Sequence, residues 1–211
     1  MRVTAETKAA TREAILKAAR RLIAADGFAG CTTRQIADAS GIASGTLFNY
    51  FATKEAVLAS LAAEAVADVH QVEETATSED GSLEEQLFGF VMTGLRKLKP
   101  LRKHLAVLVE TVLSPLSDAT GGEIRALRLS HLETVARLAR QHGIGELPSV
   151  ALQLYWTLYT GVLMFWTADQ SPKQEDTLAL LDESLAMFVG WLQRDGGLSP
   201  AKGGAEPCPR R

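Results

Sequence analysis

The chain has 211 residues, 46% of them hydrophobic and 22% charged, the ordinary make-up of a folded globular protein. That length supports one domain with a substantial core, or a small domain fused to a larger one. The net charge of -3 excludes a molecule that is basic throughout, yet the charge is uneven. Residues 1–60 hold eight Lys/Arg against five Asp/Glu, and residues 61–211 hold fourteen against twenty. A basic head on an acidic body predicts that only the head meets a polyanion.

The N-terminal stretch Met1 to Ala10 is polar and lacks the apolar centre of a signal peptide. From Thr11 to Ala25, Ile15, Leu16, Ala19, Leu22 and Ile23 recur at helical spacing, with Arg12, Lys17 and Arg21 on other faces. Gly27 is the expected stop. Thr32 to Ala37 predicts a short helix with a hydroxyl at its N-cap, broken at Ser40-Gly41. A second short helix is expected from about Ser44 to Tyr50. Thr53-Lys54-Glu55 then opens a long Ala-rich helix reaching about Glu74.

Thr75 to Ser82 is polar and suits a domain boundary. Further helices are expected at about 83–98, 101–114, 122–142, 149–169 and 174–194, separated by Pro100, Ser114-Pro115, Gly121-Gly122, Gly143-Gly145, Pro148 and Ser171-Pro172. The predicted fold is all-α, with about nine helices. Residues 1–53 would form a three-helix helix-turn-helix unit and 54–195 a larger helical domain. The Gly/Pro/Lys-rich residues 196–211 would be a disordered tail.

Val150 to Ala168 is long and apolar enough to require a membrane test. It opens on Pro148-Ser149, carries Gln153, Thr157 and Thr160, and is flanked by acidic residues, whereas membrane anchors usually carry Lys or Arg at a flank. A helix buried on several faces of a bundle is the expectation. The two cysteines, Cys31 and Cys208, form no disulfide framework or zinc spacing, which fits a reducing cytoplasm. Cys31 reads as a small buried hydrophobe. His70, His104, His131 and His142 lack metal-ligand spacing, so neither a metal nor a cofactor is expected. There is no phosphate loop, no nucleophile elbow and no carboxylate pair in an apolar setting, which argues against an enzyme.

Two short helices joined by a glycine turn and braced by a preceding helix make a helix-turn-helix. Ile36, Ile42 and Leu47 would be its core, capped by Phe51. Ala37 would be small where the second helix crosses, and Gly41 would take a positive φ. Ser44, Gly45, Thr46, Asn49 and Tyr50 then lie on the outer side of the second helix, the side offered to a major groove.

The run Gly41-Ile42-Ala43-Ser44-Gly45-Thr46-Leu47-Phe48-Asn49-Tyr50-Phe51-Ala52-Thr53-Lys54-Glu55-Ala56-Val57-Leu58 resembles the signature of TetR-family repressors. Ala25-Asp26-Gly27-Phe28 and Thr32-Thr33-Arg34-Gln35-Ile36-Ala37 match the upstream half of that signature. The resemblance is dense over about residues 11–60 and only architectural beyond. It implies a homodimer that binds near-palindromic double-stranded operator DNA and is released by a small molecule. Thr33 would hold a phosphate and Arg34 a base edge, most favourably guanine. Ser44 and Thr46 would touch bases or phosphate, and Asn49 and Tyr50 would complete the readout. Gly45 would allow close backbone approach. Lys54 would clamp a phosphate at a helix N-terminus. Where many members carry a phosphate-touching Tyr, this chain has Phe48. Either Tyr50 compensates, or that position only packs.

Leu178, Leu181, Leu185, Phe188 and Leu192 make the stripe of a bundled helix. The resemblance implies a dimer interface through the last two helices; a monomeric core would use the same stripe. Tyr155, Trp156 and Tyr159, with Phe88, Met92, His104 and Leu108, are candidates to line a site for a small hydrophobic or amphipathic ligand, and they also suit an ordinary core. The rival reading is an architectural DNA-binding protein of the same fold with no inducer.

Overall fold

The structure, a computed structural model, describes residues 4–76, 81–113 and 121–194. The expected tail at 196–211, Cys208 and half of the expected linker lie outside those residues. Among the described residues are nine α-helices and no strand. They are α1 (Ala5–Gly30), α2 (Thr33–Ala39), α3 (Ser44–Phe48), α4 (Lys54–Ala76), α5 (Leu83–Leu98), α6 (Leu105–Leu113), α7 (Gly121–Gln141), α8 (Ser149–Ala168) and α9 (Glu175–Arg194).

Capping chemistry sets several starts. α1 begins earlier than its apolar periodicity suggests because the Thr4 hydroxyl accepts from the Thr7 amide at 3.2 Å. The expected stop at Gly27 is where φ turns to +73° and the helix kinks, one turn short of Gly30. α2 and α5 open on reciprocal capping boxes, Thr32 with Gln35 and Ser82 with Glu85. Each box satisfies two amides that have no partner inside the helix.

The expected helix at 101–114 divides. Lys99–His104 is a 3-10 stretch with Pro100 near its start, and α6 follows. Arg102 fixes that tighter segment: its Nε donates to the Trp166 carbonyl at 2.7 Å and its Nη2 to the Asp169 carbonyl, closing the C-terminal end of α8. A second 3-10 turn, Pro172–Gln174, precedes α9. Asp169 caps α9 from the end of α8. Its carboxylate accepts from the Thr177 amide at 3.1 Å, the Thr177 hydroxyl at 2.5 Å and the Ser171 amide at 2.7 Å.

One hydrophobic cluster runs through the molecule, from Ile15 on α1 to Leu192 on α9. α5 stands near its centre, packed against α4, α7 and α9 and burying Leu87, Phe90 and Val91. α4 packs on α1 on one side and on α5 and α7 on the other, so it belongs to both the head and the body. No helix among the described residues is long and apolar enough to cross a membrane.

Candidate nucleic-acid interface and ligand cavity

The head is built from a very small core. Ile36, Ala37 and Leu47 are fully buried and Phe51 nearly so, with Ile42 packed against them. Gly41 takes φ +73°, and the turn closes through the Ile42 amide on the Ala37 carbonyl at 3.1 Å. This turn sets α3 across α2. Everything on α3 other than Leu47 is then at least partly exposed.

Arg34, Ser44, Gly45 and Asn49 are exposed, and Thr33, Thr46 and Tyr50 are half-buried. Tyr50 packs partly on the head core. A Cβ added at Gly45 would meet nothing within 4 Å. Packing inside the chain therefore does not require glycine there, and only a surface approaching from outside would. Phe48 is 51% exposed, so about half of its surface packs and half faces outward.

Lys54 has partners inside the chain. Its Nζ donates to the Phe28 carbonyl at 2.8 Å and the Cys31 carbonyl at 3.0 Å, and it stands 4.2 Å from the centre of the Phe28 ring. Two of its three N–H bonds thus serve carbonyls that the kink at Gly27 leaves outside the α1 ladder. The ammonium fastens the start of α4 to the α1–α2 joint. Cys31 is buried as expected. Burial raises its thiol pKa, with Lys54 pulling it down and Asp26 pushing it up.

Further along α4, Glu64 receives two arginines of α1, Arg12 at 3.3 Å and Arg20 at 3.0 Å. Such exposed pairs contribute at most about 1 kcal/mol each. Their geometry still ties α1 to α4 at a second place. The opposite face of α4 carries Ala59, Ala62 and Val66, which line a cavity.

The space between those walls, open solvent at its mouth included, is about 820 Å³. Its walls come from α4 to α8. They include Phe90, Leu105, Leu108, Trp156 and Leu163, and no Asp, Glu, Lys or Arg among the described residues. Polar atoms enter only at His131, Tyr159, Thr160 and the indole of Trp156. Of the seven candidates drawn from the sequence, Leu108, Trp156 and Tyr159 line it. Tyr155 and Tyr159 line a smaller neighbouring hollow with Phe188. Phe88 and Met92 pack against the core outside both cavities. His104 lies elsewhere too, 6.3 Å from Phe28 between ring centres; burial, with Lys103 beside it, lowers its pKa.

His131, expected only to lack metal-ligand spacing, also lines the cavity. It is buried, its Nε2 lies 3.0 Å from the Tyr155 hydroxyl, and the rings of Phe90, Tyr155, Trp156 and Tyr159 surround it. His142 is exposed, and no group of three or more His, Cys, Asp or Glu among the described residues is placed to hold a metal.

A braced pair of short helices with an exposed polar second helix, joined to a helical body, defines a helix-turn-helix regulator. Residues 15–61 match the profile of bacterial regulatory proteins of the tetR family. The chain is 30% identical over 154 residues to the HTH-type transcriptional repressor AcnR of Corynebacterium efficiens, covering 69% of this chain and 75% of that protein. With AcnR of Corynebacterium glutamicum it shares 36% identity over 74 residues, 35% of this chain and 37% of that one. Thermus thermophilus FadR, a TetR-family repressor solved in complex with lauroyl-CoA, superposes with a TM-score of 0.68 at 21% identity, over 95% of this chain and all of that one. A TetR regulator from Rhodococcus gives 0.67 at 15% identity, over 86% and 97%. The chain belongs to the tetR family of bacterial regulatory proteins.

Proposed function

We propose that the chain is a dimeric, ligand-released repressor, with residues 1–53 as reader and 54–195 as sensing and dimerising body. Arg34, Ser44, Thr46, Asn49 and Tyr50 read base edges. Thr33 holds a phosphate, and Gly45 lets the backbone approach closely. The single observation that carries the regulatory part is the double duty of α4: Lys54 and Glu64 hold the head while Ala59, Ala62 and Val66 wall the cavity. A ligand that moves this wall moves the head.

A dimer through α8 and α9 is supported by apolar side chains left facing outward there. Val150, Leu154 and Phe165 on α8 and Leu180 and Met187 on α9 are 38–67% exposed. A second copy covering that face would remove them from water. An acyl chain such as the one carried by the FadR ligand suits the cavity walls, while a charged nucleotide does not.

Genome-wide capture of DNA bound in cells tests this reading. It predicts a few discrete sites carrying inverted repeats. An even spread over the genome would overturn it in favour of an architectural protein.

A further inference from the structure

We infer that Tyr159 is the residue that selects the ligand, and that the ligand is an uncharged, largely apolar molecule bearing one carbonyl-type hydrogen-bond acceptor. This rests on the cavity being the sensing site.

The inference starts from what the walls can satisfy. A carboxylate, phosphate or ammonium taken into a space with no described charged side chain would lose its hydration without compensation. The occupant's body must therefore be apolar. Of the four polar side chains at the wall, two are already hydrogen-bonded, and the ring of Trp156 is covered by the Arg128 guanidinium at 5.3 Å. The Thr160 hydroxyl donates to the Trp156 carbonyl at 2.8 Å, back along its own helix. His131 is paired with Tyr155. Tyr159 differs. Its ring is held from three sides, stacked parallel to Tyr155 and packed on His131 and Trp156 at 4.3 and 5.4 Å between centres. Its hydroxyl makes no hydrogen bond within the described residues, and it borders both cavities. A rigidly mounted phenol with an unused O–H in an apolar space is a directed donor. Burial pushes its pKa up to about 12, so the proton stays in place at any physiological pH. A phenol is a better donor than acceptor, so its complement is a carbonyl oxygen.

The space itself depends on a residue with no side chain. Gly94 of α5 lines the cavity, and a Cβ there would meet nothing within 4 Å. A leucine at 94 would project into the cavity without displacing a neighbour's backbone.

Three probes of equal chain length separate the claims: methyl nonyl ketone, undecane and undecanoate. Each is titrated by calorimetry and by intrinsic tryptophan fluorescence, to which Trp156 in the wall contributes. The wild-type chain should bind the ketone most tightly, the alkane more weakly, and the carboxylate least. Tyr159→Phe should weaken the ketone about three- to tenfold, the range of one neutral hydrogen bond, and change the alkane less than twofold. Equal weakening of both probes, no weakening of the ketone, or preferred binding of undecanoate would overturn the assignment. Gly94→Leu should abolish binding of both neutral probes while the thermal transition is retained. Ketone binding that survives in a folded Gly94→Leu variant would overturn the cavity reading itself, independently of Tyr159.

Discussion

Lys54 meets Phe28 twice: its ammonium donates to the Phe28 carbonyl at 2.8 Å and lies 4.2 Å from the centre of the same residue's ring. With the bond to the Cys31 carbonyl at 3.0 Å, one side chain closes the joint where α1 ends and α2 begins. Lys54→Met would leave both carbonyls without that donor. The loss should be about 1–3 kcal/mol of stability, read by thermal unfolding. Operator affinity should fall with the slope of log affinity against log salt unchanged. A lysine engaged on phosphate would lower that slope by about one. The slope therefore decides between a joint and a clamp.

Arg34 is the counter-case, exposed on α2 and without a hydrogen bond or ion pair among the described residues. Arg34→Ala should leave the melting temperature unchanged and cost about 1–3 kcal/mol on the cognate operator. The loss on random duplex DNA should be smaller. Equal losses on both, measured by fluorescence anisotropy, would show that Arg34 reads phosphate and not base.

Phe48 carries a different expectation. Its ring is half in water, so Phe48→Ala should change stability by less than about 0.5 kcal/mol. Operator affinity should nonetheless drop, because an exposed ring on α3 is placed for apolar contact with thymine methyl groups. Unchanged affinity would assign the phosphate-side contact to Tyr50 alone.

What the sequence made legible was local. The hydroxyl N-cap of α2, the Gly41 turn and the buried set Ile36, Ala37 and Leu47 follow from spacing, since each partner lies within a few residues. The intramolecular partners of Lys54 were not legible because they are main-chain carbonyls 26 and 23 residues away, beside the kink at Gly27. The cavity was half seen for a related reason. Aromatic residues signal a site, but empty space is made by small ones, and Ala59, Ala62 and Gly94 come from two helices with no pattern linking them. His131 shows nothing in its neighbourhood in sequence that marks its pairing with Tyr155, 24 residues on. The 3-10 stretch before α6 depends on Arg102 reaching the end of α8, 64 residues away.

Asp169 predicts acid behaviour. The Thr177 hydroxyl first, then Ser171, hold its carboxyl well below the usual carboxylate range, and burial opposes them. On acidification the unfolded chain binds this proton first, near pH of about 3.9. The stabilisation is thus full above that value and is lost as pH falls below it toward the folded value. Asp169→Asn should lower the melting temperature at neutral pH. The gap to wild type should narrow as pH drops from about 5 to 3, as followed by circular dichroism. A gap that stays constant would remove the ionised carboxylate from the account.

The central claim is that two copies present their α3 helices to successive major grooves on one face of duplex DNA. Such helices lie about 34–36 Å apart, a separation of about 10–10.5 base pairs between half-site centres. The most direct test is to select a binding site from random duplex DNA, then insert half a helical turn, about 5 base pairs, between its half-sites. The account predicts a selected inverted repeat bound by two chains, and a loss of more than about tenfold on insertion. Affinity unchanged by the insertion, or a selected site with no two-fold repeat, would contradict it.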